Sequence, residues 1–136
     1  MKVSVEYLKD ETFEGRFSEK GSIMIGADLK ENLNPTPMQL VLLAVGSCSA
    51  IDVVSILHKK RQEVKGYRIE VTGERRADHP RSFSKIHVHH VVTGRNVSEK
   101  AVASAIELSD KKYCSVAATL RPTAEITTSF EIINVE

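Results

Sequence analysis

Tryptophan is absent from this chain, and aromatic residues make up only 5% of it. That removes the usual stacking platforms for single-stranded nucleic acid. No charge dominates either: the formal net charge is +1. Strong binding to nucleic acid or to an anionic membrane needs clustered Lys and Arg, so neither is expected. The opening "MKVSVEYLKDETFEG" carries charges every few residues and has no apolar signal-peptide core. The longest uncharged apolar run, Leu40 to Ile51, is about a dozen residues, against roughly 20 for a membrane-spanning helix. These readings predict a cytoplasmic protein with a buried helix and no membrane partner. Cysteine is scarce as well, with two in 136 residues. In a reducing compartment such a pair suits a transient bridge better than a permanent one.

What is present reads as one domain. The apolar share of 41% and charged share of 27% are ordinary for a globular chain of this length. A core of that size is modest, and burial against a second subunit would enlarge it. "KVSVEYL" alternates, with Val3, Val5 and Tyr7 on one face, and predicts a strand. "GRFSEKGSIMIGAD" predicts two more around a turn at Glu19 to Gly21, so that N-terminal strands fill about residues 2–28. "LKENLNPTPMQL" breaks the pattern and reads as a loop that ends in a helix start. There Thr36 caps, Pro37 takes the first helical position and Gln39 stands where a capping-box partner belongs.

The central helix is predicted over about residues 37–60, apolar on every side and therefore surrounded. "YRIEVTGERR" and "FSKIHVHHVVTG" predict a hairpin over about 66–94, joined through "ADHP". Helical segments follow over about 98–120, capped by Ser98. An interruption at Asp110 to Tyr113 restarts the helix near Cys114. "AEITTSFEIINV" predicts a closing strand over about 124–135. The order predicts an α+β fold with helices packed against an antiparallel sheet.

The two thiols sit in different settings. Cys48 lies about three turns into the central helix, where apolar surroundings alone hold a thiol protonated and inert. Cys114 follows Lys111 and Lys112 near a predicted helix N-terminus, and both features favour a thiolate. Two ordinary buried cysteines would satisfy the composition. A cysteine peroxidase needs such a pair too: one thiolate attacks the peroxide bond and a second thiol closes a disulfide. Spacing does not show that the two residues meet.

Three stretches bear on that choice: "PMQLVLLAVGSCSAIDVVSIL", "GERRADHPRSFSKIHVHHVVTG" and "KYCSVAATL". Together they resemble the OsmC/Ohr family, in its branch of small OsmC-like proteins. The resemblance covers nearly the whole chain, and its specific parts are the C-S-x-x-D-V-V and K-Y-C-S-V segments. It implies an intertwined homodimer, an OsmC-like sheet wrapping two long central helices, and two sites at the subunit interface. Members with known activity reduce organic hydroperoxides through paired cysteines. For this chain such a mechanism would require no haem, flavin or metal cofactor and would draw its electrons from an external thiol system. Carried over by motif, Cys48 is the peroxide-attacking cysteine and Cys114 the resolving one. The better characterised members carry a glutamate ten residues before the first cysteine and an arginine from the N-terminal strands. Here Met38 occupies that place, Gln39 follows it, and Arg16 is the only arginine before the central helix.

Other residues carry weaker signals. His87 and His89 share a strand face while His90 points the other way. His58, His79 or a cysteine would be needed to complete a metal site, and the plain reading is an exposed polar face. Arg75, Arg76 and Arg81 cluster around the hairpin loop, where an anion would fit, as would solvent. Asp52 lies one turn after Cys48, where a carboxylate opposes thiolate formation unless paired. Ser47 and Ser49 flank Cys48 and either supply hydrogen bonds or bond back to the preceding turn. The alternative to an enzyme is a binding module that holds a small hydrophobic ligand at the dimer interface.

Overall fold

The computed structural model describes residues 1–27 and 33–136, so much of the predicted 29–35 loop lies outside the described residues. The chain divides into two compact units, Met1–Val41 and Leu42–Glu136. In the first, β1 (Ser4–Lys9), β2 (Thr12–Arg16) and β3 (Ser22–Gly26) form an antiparallel meander in sequence order. Asp10 and Glu11 both take the left-handed conformation, at φ 49° and 58°. That is the tight two-residue turn that matches strand twist. It starts β2 at Thr12, earlier than the alternation suggested. Phe17 N–H and Ser18 N–H both donate to Gly21 O, at 3.1 and 3.4 Å, and close the second turn. A side chain at Gly21 would meet the exposed Phe17 ring at 2.4 Å, so that ring would have to swing aside to admit one.

The helix start follows the predicted pattern. Thr36 N–H donates to Gln39 Oε1 at 3.0 Å, and Gln39 N–H donates to Thr36 Oγ1 at 3.3 Å. This reciprocal capping box opens α1 (Pro37–Lys59). By length and composition α1 qualifies as a membrane-crossing helix, as the core helices of water-soluble proteins also do. The expectation that it is surrounded needs correction. Val45, Ser49, Val53 and Leu57 form a buried stripe at helical spacing. The opposite stripe is open, with Leu43 59% and Ile51 71% exposed. Among the described residues, one flank of α1 is covered.

In the second unit, β4 (Glu63–Arg75) and β5 (Phe83–Arg95) make the predicted hairpin. Then come α2 (Glu99–Leu108), a π turn (Ser109–Tyr113), α3 (Ser115–Leu120) and β6 (Glu125–Asn134). The sheet order is β4-β5-β6. This sheet is not purely antiparallel as expected: β5 and β6 run parallel, from Lys85 opposite Glu125 to Gly94 opposite Asn134. The cause is the helical crossover between them. It returns the chain to the end of the sheet where β5 began, which a tight turn cannot do. The core joins Val53 and Leu57 of α1 with Val92, Val97, Val102, Ala105 and Ile106. At Gly46 an added Cβ would stand 2.9 Å from Val71 Cγ2. Glycine therefore lets the Cys48 segment of α1 lie close on β4.

Candidate active site

Ser98 Oγ accepts from Ala101 N–H at 3.2 Å and starts α2 as expected. Its end is less ordinary. Cys114 N–H donates to Ser109 O at 2.8 Å, five residues back, and this bond defines the π turn. Such turns cluster at functional sites because they insert one residue and re-aim the next. The residue re-aimed here is Cys114, which also caps α3: its Sγ accepts from Ala117 N–H at 3.3 Å. Arg121 fastens the turn by donating to Asp110 O at 2.9 Å and to Asp110 Oδ1 at 2.7 Å. Both sides of Cys114 are thus held by one ion pair.

The turn is also tied to α1. Ser109 is fully buried. Its hydroxyl donates to Asp52 Oδ2 at 2.9 Å and stands 3.5 Å from Ser49 Oγ. Asp52 thereby has the partner its position demanded, a neutral hydroxyl rather than a cation. Among the described residues no Lys, Arg or His forms an ion pair with it. Ser47 donates back to Leu43 O at 2.8 Å, as helical serines do, so its hydroxyl is engaged within the helix.

These ties bring together the two thiols that lie 66 positions apart in sequence. Cys48 is half-buried, Cys114 is buried, and neither is in a disulfide. Cys48 stands near enough to Cys114 to add to the upward shift of its thiol. The expectation that its lysines and helix terminus make Cys114 a ready thiolate needs correction. Burial pushes its thiol up to about 11. The Ala117 N–H pulls the other way, while Cys48 and Asp52 add to the rise. Desolvation wins because the cations are engaged outside. Lys111 Nζ is 3.8 Å from Asp110 Oδ2, and Lys112 Nζ lies 5.3 Å from the centre of the Tyr113 ring. Cys114 is therefore a neutral thiol at physiological pH.

The remaining sequence candidates have structural occupations. Arg16, in the N-terminal unit, donates to Glu19 O at 3.1 Å and to Glu14 Oε1 at 3.2 Å, with its side chain 44% exposed. His87 hydrogen-bonds with Thr127 Oγ1 and Ser129 Oγ, and His89 with Ser129 Oγ. Among the described residues no three His, Cys, Asp or Glu side chains gather as a metal site. His58 is exposed in the last turn of α1, and His79 is exposed in the hairpin loop. Arg76 donates to Ser82 Oγ, Phe83 O and Thr123 O, so it staples the hairpin loop to the segment before β6. Arg75 Nε donates to Arg81 O at 2.8 Å within the same loop.

Two features escaped the sequence. Ser109 reads there as one more residue on the buried face of α2, and nothing in its type marks it as the junction with Asp52. His90 reads as the histidine on the opposite face, which it is. However, it is fully buried and hydrogen-bonded through Nδ1 to the Tyr67 hydroxyl, with no partner for Nε2 among the described residues. Burial, then the neighbouring His89 and His87, lower it to about 4.

Residues 30–129 match the family described as OsmC-like protein. A curated relative, protein YhfA of Escherichia coli strain K12, is 43% identical over 98% of this chain and 98% of its own. The chain belongs to the OsmC-like family. A solved structure from Aquifex aeolicus VF5, described as a hypothetical protein, is 38% identical with a TM-score of 0.89. The match covers 99% of this chain and 97% of that one. More distantly, the organic hydroperoxide resistance protein OhrB of Bacillus subtilis shares the fold. Its TM-score is 0.67 at 13% identity, over 96% of this chain and 98% of that one. Family membership accounts for the α+β architecture, with its two three-stranded sheets and long helix.

Proposed function

We propose that this OsmC-like protein is a thiol-dependent peroxidase that reduces organic hydroperoxides, working as a single-domain chain in a cytoplasmic homodimer. What supports this reading is that the π turn bearing Cys114 is tied through Ser109 to Asp52, one turn after Cys48 on α1, and that Cys48 adds to the upward shift of the Cys114 thiol. In the first step the Cys48 thiolate attacks the terminal peroxide oxygen. An S–O bond forms and the O–O bond breaks, and the alkoxide leaves and is protonated to the alcohol. Sulfur loses two electrons and becomes a sulfenic acid. Cys114 then attacks that sulfur, the S–S bond forms, and hydroxide departs with the thiol proton as water. An external dithiol reduces the bridge. Arg16 is the N-terminal candidate to stabilise the thiolate in the assembled dimer. The open apolar stripe of α1, Leu43 and Ile51 included, suits both a second subunit and a substrate with an alkyl tail. Each methylene buried there favours binding by about 0.8 kcal/mol.

A second reading, a non-catalytic module holding a hydrophobic ligand, is favoured by one observation. Gln39, beside the place of the family glutamate, is engaged as a helix cap and brings no carboxylate. Trapping separates the two. In a Cys114→Ser protein, one equivalent of cumene hydroperoxide should leave Cys48 as a stable sulfenic acid, captured by dimedone in near-stoichiometric amount. No adduct at Cys48 under those conditions would leave the binding module standing.

A further inference from the structure

Disulfide closure competes with over-oxidation: a sulfenic acid that meets a second peroxide before its partner thiol becomes a sulfinic acid and is lost. In this protein the partner thiol is buried, neutral and fixed at the end of a π turn, so where that turn sits decides how often closure wins. One residue fixes it from both sides. The carbonyl of Ser109 holds the backbone of Cys114 at 2.8 Å. The hydroxyl of the same residue holds Asp52 on α1 at 2.9 Å, one turn beyond Cys48. We propose that Ser109, anchored on Asp52, is a positioning residue that holds Cys114 over Cys48 and so protects the oxidised site from a second peroxide molecule. The proposal rests on the redox reading of the two thiols.

Asp52 has a further consequence in the same place. Its carboxylate adds to the burial that keeps Cys114 protonated. The thiol that resolves is thus not the thiol that attacks, and its proton is on hand to leave with the departing hydroxide as water. Position and charge are separable by substitution. Ser109→Ala and Asp52→Ala both remove the hydrogen bond, one from each side. Asp52→Asn keeps an acceptor for the Ser109 hydroxyl and removes only the charge.

The test is the fate of Cys48 across a series of cumene hydroperoxide concentrations, read by mass spectrometry as disulfide against sulfinic acid. In both alanine variants the concentration giving half sulfinic acid should fall roughly tenfold, the scale expected when a reacting pair loses its fixed geometry. In Asp52→Asn it should stay at or above the wild-type value. Thermal unfolding of the same proteins supplies the control. Alanine variants that lose stability but keep the wild-type partition overturn the positioning role while leaving the redox reading intact. If wild-type Cys48 forms neither product, the redox reading falls and this proposal falls with it.

Discussion

Replacing Cys48 by serine should abolish hydroperoxide-dependent disulfide formation, with a rate loss on the order of 10³-fold or more. The size follows from chemistry rather than packing. A serine hydroxyl has nearly the shape of the thiol, and at the half-buried position of Cys48 it fits without a cavity. It is a far weaker nucleophile toward an O–O bond, and no base is in place to activate it: among the described residues the neighbouring carboxylate, Asp52, is engaged by Ser109. Cys114 does not replace it as the attacker. Burial pushes that thiol up, so at neutral pH it is held protonated. Stopped-flow thiol titration of the two proteins reads the difference. A Cys48→Ser protein whose Cys114 still reacts with peroxide at the wild-type rate would reverse the assignment of the two thiols.

Stability should fall as pH drops from about 6.5 to about 4, by roughly 3 kcal/mol from His90 alone. The sign is fixed by the direction of the shift. Burial lowers the folded pKa to about 4, while the unfolded chain keeps the ordinary 6.5. Above 6.5 both states are neutral and the group contributes nothing. Between the two values the unfolded chain takes up a proton that the folded chain refuses, and stability is lost. Below about 4 the loss is complete. Urea unfolding of wild type and His90→Asn between pH 7 and pH 4 isolates this contribution. Asparagine keeps a polar partner for the Tyr67 hydroxyl and does not titrate in that range. The wild type should lose roughly 3 kcal/mol more than the variant. Parallel curves would place the acid sensitivity in the carboxylates instead.

How far the sequence carries depends on the range of each interaction. The capping box from Thr36 to Gln39, the alternation of β4 and β5, the Ser98 cap and the break before Cys114 are local, and all are legible. The direction of β6 is not, because alternation marks which face a residue takes and says nothing about which way the neighbouring strand runs. The Cys114 environment misleads for a related reason. Two lysines and a helix terminus are visible along the chain, whereas the burial that outweighs them comes from the fold. Arg76 looks like an anion binder until Phe83 and Thr123 supply the carbonyls it holds. Ser109 is the extreme case: its importance lies wholly in joining α1 to the π turn.

The most direct test takes the reduced wild-type protein and adds one equivalent of cumene hydroperoxide. Free thiols are counted and the intact mass is followed over seconds to minutes. If Cys48 and Cys114 are a working pair, both thiols disappear together, one alcohol is released per chain, and the protein loses two hydrogens with no added oxygen. Slow gain of oxygen atoms at either sulfur, with no bridge between the two, would contradict the account at its base.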